Sequence, residues 1–214
     1  RQQYGLQVRG GSEQVRYFVH SEWESENGVI KVPEFEKRYM AAHNLSLTED
    51  QQSQQRLKKV TFRANLNVSL TDALDLAVSS GYITQDLRLP EADDSGTAGI
   101  TANTYGGPGM KYNISATGDT LYGWREFTPR RIYQRESVQE IERFINSVNG
   151  NYRPTSWLAF RGIFGLDFVS RHDWQICRFE ECTHATQRLG FKEDNRHNFF
   201  VYTLDMGGTA TRQI

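Results

Sequence analysis

The chain has few cysteines, few prolines and few lysines, and it lacks a long apolar run. Its 214 residues include 2 cysteines and 5 prolines. Two cysteines are too few for a disulfide framework in a chain of this size. No run of 18 or more apolar residues occurs, so we expect no segment that spans a bilayer. The net charge of −1 argues against wholesale binding to nucleic acid or to an anionic membrane, since both need a basic excess.

The motifs of the well-marked enzyme classes are also missing. The sequence has no Gly-x-Ser-x-Gly elbow, no His-Glu-x-x-His pair and no dinucleotide fingerprint. The glycine-rich stretch at 105–109 lacks the lysine and the strand-to-helix setting of a phosphate-binding loop. The sequence therefore favours a protein that is not an enzyme. An enzyme whose catalytic residues form no recognisable motif is the alternative.

Arginine and aromatic residues are what the chain has in abundance. Arginine supplies 19 of the 25 basic residues, and 26 residues are aromatic. Guanidinium groups make bidentate and stacked contacts, and arginine and aromatic side chains are enriched at protein interfaces. Codon or lineage bias is an alternative cause of the arginine excess. We interpret the composition as that of a structural or interaction subunit that docks into a larger multi-protein assembly.

The candidate interface lies in the segment from residue 124 to residue 135, where four arginines alternate with three aromatic residues. Buried aromatic anchors with arginine–carboxylate pairs at the rim would hold other protein subunits or a second copy of the chain. Binding of single-stranded nucleic acid by stacking is an alternative, but twelve basic residues against ten acidic ones between 125 and 196 make a weak basic face. The predicted interface residues are Trp124, Arg125, Phe127, Arg130, Arg131, Tyr133 and Arg135.

A second candidate site is a cluster of soft ligands near the C-terminal end. His172, Cys177, Cys182 and His184 are enough in number and kind for tetrahedral zinc, but their spacing differs from that of the familiar zinc fingers. A local disulfide between the two cysteines and plain packing are the alternatives. Either cysteine could also be a nucleophile that a nearby histidine activates. Apart from this possible zinc site, we expect no cofactor; a small metal-binding or cysteine-dependent enzyme domain is the alternative function.

Strands are predicted where aromatic and β-branched residues cluster or alternate with polar ones. Residues 59–68 alternate strictly, which indicates a half-exposed antiparallel strand. A hairpin with a turn at Gly10 and Gly11 precedes it. The other predicted strands cover 82–89, one or two strands within 155–170, and 197–206.

Helices are predicted from capping residues and from apolar residues at helical spacing. Pro33 begins the first, and a capping box from Ser46 to Glu49 begins a glutamine-rich helix that ends near Lys58. Two further helices are predicted at 73–81 and 137–148. The expected fold class is α+β: a mixed, mostly antiparallel sheet with three to four helices and a long Gly/Ser/Thr-rich middle loop. The expected organisation is an N-terminal half at 1–90, a loop or linker at 91–119 and a C-terminal half at 120–214, or one single domain.

Overall fold

The described residues form one seven-stranded sheet in which every strand pairs antiparallel with its neighbours in the sequence. The computed structural model describes residues 1–90, 99–116, 118–181, 183 and 185–212. The strand order along the sheet is the order along the chain. The strands are β1 (Gln2–Gly11), β2 (Val15–Asn27), β3 (Arg56–Thr71), β4 (Leu74–Arg88), β5 (Glu136–Thr155), β6 (Leu158–Cys177) and β7 (Phe191–Ala210).

The prediction of a mostly antiparallel sheet is confirmed, and the helix content is lower than expected. The hairpin of β1 and β2 and the strand around 59–68 are present, and all three strands run longer than the sequence pattern indicated. The described residues contain four short α-helices and one 3-10 turn. These are α1 (Glu34–Ala42), α2 (Glu49–Gln52), α3 (Ile100–Tyr105), α4 (Pro129–Tyr133) and the turn at Ala185–Gln187.

The first two helices begin close to the predicted residues, and only the second differs markedly from its predicted length. Pro33 is the N-cap of α1, as the fixed φ of proline allows. The capping box of α2 joins Thr48 and Gln51, two residues after the predicted start of the box. The prediction of a helix that reaches Lys58 is wrong, because α2 ends after one turn and β3 begins at Arg56.

The prediction of a helix at 137–148 is wrong, because this segment lies within β5. Its apolar residues Val138, Ile141, Ile145 and Val148 have the spacing of one helical face. In the strand they divide between two faces, with Val138 and Val148 on one and the two isoleucines on the other. These four apolar positions are therefore compatible with a helix and with a strand. Pairing with β4 and β6 along the whole segment selects the strand.

The prediction of a helix at 73–81 is also wrong. The presumed capping residues around Asp72 form the turn between β3 and β4, and residues 74–88 form one strand. Gly81, which was interpreted as a helix end, lies inside β4 between Arg63 and Ile145. The local capping signal is overridden here by pairing on both sides of the strand.

The expected middle loop lies partly outside the described residues, which omit 91–98 and 117. Its described part contains α3. β4, which precedes this segment, pairs with β5, which follows it, from Leu74–Tyr152 to Arg88–Val138. The segments on the two sides of the loop therefore contribute neighbouring strands to the same sheet.

The connections differ sharply between the two ends of the sheet. At one end, the short-turn end, residues 12–14, 72–73 and 156–157 join consecutive strands. At the other, the long-loop end, the connections span residues 28–55, 89–135 and 178–190 and carry all four helices. The buried hydrophobic cluster lies in these long loops rather than on the sheet. Its members are Val32, Met40, Leu47, Ile100, Ile132 and Tyr133.

Candidate functional surface: a sheet with two exposed faces

The register of the strands assigns each side chain to one of two faces, because residues that pair across strands project to the same side. A single row of cross-strand pairs joins five aromatic residues on five strands: Phe62, Tyr82, Phe144, Phe168 and Phe200. We call the face that carries this row the apolar face, and the opposite one the polar face.

The exposed large apolar side chains of the described strands concentrate on the apolar face. Among the paired residues of the described strands, only Ile145, Phe199 and Val201 lie on the polar face. Many of those on the apolar face are more than half exposed, including Leu6 at 70% and Tyr202 at 70%. The paired residues concerned are Tyr4, Leu6, Val8, Tyr17, Trp23, Val60, Phe62, Leu66, Tyr82, Phe144, Val148, Tyr152, Phe160, Phe164, Phe200, Tyr202, Leu204 and Met206.

These residues form a continuous band, which we call the apolar band. It occupies the apolar face over residues 4–10, 15–23, 60–68, 74–82, 144–152, 160–168 and 200–208, and none of its side chains is charged. Nine residues of strand extend about 27 Å, and seven strands cover about 33 Å, so the band measures about 900 Å². The largest apolar patch of a typical monomer is about 300–600 Å². We therefore expect the apolar band to be in contact with another molecule or another layer of protein.

A row of charged residues borders the apolar band on the side of the long loops. Successive strands β3 to β7 place Lys58, Asp86, Glu140, His172 and Arg196 opposite one another. The ring of His172 joins neighbouring strands, with Nδ1 3.1 Å from Oε2 of Glu140. The transition from aromatic to charged side chains takes four residues along each strand.

The polar face carries charged and amide side chains at the same height as the apolar band. Arg143 of β5 donates two hydrogen bonds to the carboxylate of Asp167 on β6, at 2.9 and 2.5 Å. Such bidentate pairs are among the stronger charge-assisted contacts, although solvent weakens exposed ones. Two other pairs cross strands on this face: Arg161 with Asp205, and Arg153 with Asp75.

The long loops pack through buried polar contacts as well as apolar ones. The carboxylate of Glu36 is buried, accepts a hydrogen bond from the backbone N of Arg130 at 3.2 Å, and lies 3.6 Å from Nε of the same arginine. Gln54 donates to the carbonyl oxygen of Tyr133 at 3.0 Å. The segment that contains α4 is thus fixed to the loop that contains α1 and α2.

The predicted interface residues lie in this loop layer, and most have partners within the chain. Trp124 and Phe127 pack against the hydrophobic cluster, and Tyr133 is 2% exposed. Arg131 donates to the carbonyl oxygen of Glu180 at 3.0 Å, and the backbone N of Arg125 donates to the carbonyl oxygen of Asn103 at 3.1 Å. Their role in binding a partner stays a prediction.

Arg130 and Arg135 complete the predicted set. The guanidinium of Arg130 lies 4.9 Å from the ring centre of Tyr39. Arg135 donates to Oε1 of Gln175 at 2.6 Å and lies over the ring of Phe191. Both arginines therefore contribute to the internal packing of the long-loop end.

Burial raises the pKa of the Tyr133 hydroxyl, and the nearby Glu36 carboxylate raises it further. A group whose pKa is higher in the folded protein than in the unfolded chain stabilises the fold at pH values below its unfolded pKa, which is about 10 for tyrosine. This stabilisation is lost progressively as the pH rises above that value. We therefore expect the loop layer to lose stability as the pH rises from 9 to 11. Tyr133→Phe keeps the ring and removes the ionisable group, so hydrogen exchange in α4 should become less dependent on pH. An unchanged dependence would contradict this role for Tyr133.

The predicted metal ligands are not brought together in the described residues. Cys177 is disulfide-bonded, and Cys182 is the only other cysteine of the sequence. His172 and Cys177 lie in the same extended strand five residues apart, so their Cα atoms are separated by about 17 Å and they face opposite sides. One metal ion cannot bind both. Cys182 and His184 lie outside the described residues, and the described part of the chain contains no group of three or more potential metal ligands.

The architecture defines a class: an antiparallel meander with an apolar face, a polar face and two outer edges. Within the described residues, β1 and β7 each pair on one side only. The same residues contain no helix that is long and apolar enough to cross a membrane.

Neither a protein-family model nor a curated protein matches the sequence. Among solved structures, a chain in the structure of the RagAB peptide importer in the closed-closed state is similar, with a TM-score of 0.70 and 15% sequence identity. The similarity covers 99% of this chain and 22% of that one. This chain therefore spans about a fifth of the length of the chain it matches, and the likeness is one of fold.

Proposed function

We propose that this chain is a section of a closed, membrane-spanning antiparallel sheet in a longer protein that moves solutes across the membrane. The apolar face contacts lipid, and the polar face lines the interior of the closed sheet. One observation carries the proposal: a charge-free apolar band on one face lies directly behind arginines, aspartates and amides on the other.

The dimensions of the apolar band favour lipid over a second protein layer. The strands run through the band for up to nine residues, and a tilted strand needs about 9–11 residues to cross the hydrocarbon core of a bilayer. Aromatic residues such as Phe62 and Phe200 lie near the edge of the band, and the charged row of Lys58 to Arg196 follows. Aromatic girdles next to charged residues are typical of sheets in contact with a membrane interface.

Contact with lipid requires partners for the outer edges that β1 and β7 present in the described part of the chain. In a bilayer every backbone N–H and C=O group must be paired, so a sheet can cross only if it closes on itself. The outer edges of β1 and β7 therefore require further strands. We assign these to the rest of a longer chain, since the matched chain is several times longer than this one.

The asymmetry of the connections supports an orientation. Membrane sheets of this kind have short turns on one side and longer loops on the outer side. The disulfide of Cys177 lies at the long-loop end, and disulfides persist in oxidising surroundings. We therefore place the long loops on the extracellular side.

Docking into a larger multi-protein assembly is the second candidate function. The observation that favours it is a set of exposed apolar side chains on the long loops, including Tyr105 at 86%, Tyr112 at 73% and Leu189 at 86%. The two functions are compatible, because a partner at the loops leaves both faces of the sheet available.

The experiment compares neighbouring positions on β7 in the full-length protein reconstituted in lipid vesicles. Leu204→Cys places a nitroxide label on the apolar face, and Thr203→Cys places it on the polar face. Cys177 is disulfide-bonded, and free cysteines elsewhere in the full-length protein are replaced by serine, so the introduced thiol is the one that reacts. We expect the label at Leu204 to be accessible to oxygen, which concentrates in lipid, and the label at Thr203 to be accessible to a water-soluble relaxation agent. Equal accessibility of both labels to the water-soluble agent would contradict the proposal.

A further inference from the structure

Three arginines on the polar face have no ion pair among the described residues: Arg9 on β1, Arg16 on β2 and Arg63 on β3. We call them the arginine patch. Elsewhere on the same face, arginines are matched by aspartates, as Arg161 is by Asp205 at 3.2 Å. The polar face is therefore neutralised over β4 to β7 and positively charged over part of β1 to β3.

The register places the three arginines close together. Arg9 pairs with Phe18, and Arg16 lies two residues from Phe18 on the same strand. With strands about 4.8 Å apart and about 3.3 Å per residue, the Cα atom of Arg9 lies roughly 8 Å from that of Arg16 and roughly 12 Å from that of Arg63, and the Cα atoms of Arg16 and Arg63 are roughly 14 Å apart. A guanidinium lies several ångströms from its Cα, so the three charges can converge on one extended ligand.

The neighbours of the patch leave the guanidinium groups open. Gly11 lies opposite Arg16, and Gly81 lies opposite Arg63, so neither arginine has a side chain beside it at that position. On their other sides Arg16 faces Asn67 and Arg63 faces His20, and Glu22 is the nearest carboxylate on β2. No ion pair between Glu22 and an arginine of the patch occurs within 4.0 Å in the described structure.

We propose that the arginine patch binds the carboxylates of an acidic peptide segment in an extended conformation. The proposal rests on the proposed function, which places the polar face in the interior of a closed sheet. Arginine forks match carboxylates in a bidentate manner. Acidic side chains two residues apart in an extended peptide are about 7 Å apart, which is close to the spacing of Arg9 and Arg16.

The test measures peptide binding to the purified full-length protein by isothermal titration calorimetry at fixed ionic strength. The probe is the end-blocked peptide Ala-Glu-Ala-Glu-Ala, and the matched ligand is Ala-Gln-Ala-Gln-Ala, which has the same shape without charge. We expect Arg9→Gln, Arg16→Gln and Arg63→Gln each to weaken binding of the acidic peptide about tenfold, because each removes a charge-assisted contact. Binding of the glutamine peptide should be much weaker and insensitive to these changes.

The control variant is Arg161→Gln, which removes the charge of an arginine that already forms an ion pair with Asp205 on the same face. It should leave the affinity within about twofold, since Arg161 lies on β6, outside the patch. Equal affinity for the two peptides, an equal loss in the control variant, or displacement by phosphate at comparable concentrations would overturn the proposal. The nitroxide labels on β7 report lipid contact independently, so failure of membrane placement and failure of peptide binding give different results.

Discussion

Val148→Arg is expected to destabilise the full-length protein in lipid vesicles by about 2–4 kcal/mol, the cost of an arginine near the middle of a lipid-facing sheet. Val148 lies in the centre of the apolar band, between Val78 of β4 and Phe164 of β6, and its side chain is 39% exposed. Because β5 is paired on both sides, the substitution leaves the backbone hydrogen bonds in place. The measurement is the free energy of unfolding in urea, followed by tryptophan fluorescence.

Ser147→Arg is the matched control, because it introduces the same charge one residue away on the opposite face. Ser147 pairs with Ser79 and with Gly165, so the position offers polar surroundings and space. We expect a change below about 1 kcal/mol there, as for a substitution on a hydrated surface. Equal losses for the two variants would contradict the assignment of lipid to one face and water to the other.

Asn103→Ala is expected to loosen the long-loop end, with a cost of about 2–4 kcal/mol for local opening. Asn103 is fully buried in α3, and its Oδ1 accepts hydrogen bonds from the backbone N of Glu126 at 3.0 Å and of Phe127 at 2.8 Å. Its Nδ2 also donates to the carbonyl oxygen of Gly99 at 2.8 Å. Alanine removes these contacts and leaves the part-buried backbone N–H groups of Glu126 and Phe127 without this partner. Hydrogen exchange at the amides of Glu126 and Phe127 measures the effect directly.

Thr104→Ala provides the control within the same helix. Thr104 is exposed, and its hydroxyl donates a hydrogen bond to the carbonyl oxygen of Ile100. We expect its removal to cost less than about 1 kcal/mol and to leave exchange at Glu126 and Phe127 nearly unchanged. If Asn103→Ala and Thr104→Ala behaved alike, Asn103 would not be the residue that fixes the loop of α4.

The sequence predicted the strands whose two faces differ most in polarity. β3 was recognised because Phe62, Ala64 and Leu66 alternate with polar residues, and this alternation holds for a strand with one apolar face. β5 was missed because Ile141 and Ile145 add apolar residues to its polar face, which weakens the period of two. The partner strands that select the strand conformation lie elsewhere in the sequence, so no local pattern contains them.

The apolar band is also visible in the sequence, as an alternation of apolar and polar residues. The expectation of no bilayer-spanning segment rested on the length of apolar runs, which describes helices. A strand that contacts lipid on one face alternates apolar and polar residues, as Phe200, Tyr202, Leu204 and Met206 do with their neighbours. The row that joins Phe62 to Phe200 depends on register across five strands, and register cannot be obtained from composition.

The arginine-rich segment at 124–135 was found from composition, whereas its internal partners were not. Arginine next to aromatic residues is typical of interfaces, and the long-loop end is an interface between loops of the same chain. The sequence does not specify that Arg130 meets Glu36, because 94 residues separate the two. Composition thus identified residues that make contacts, and the fold determined which contacts they make.

The most direct test of the central claim is a cryo-electron microscopy structure of the full-length protein in lipid nanodiscs. The account predicts ordered lipid against Phe164 and Leu204, solvent or protein against Arg143 and Asp167, and a paired strand on the outer edge of both β1 and β7. A protein layer packed against Phe164, or an outer edge left open to solvent, would contradict it.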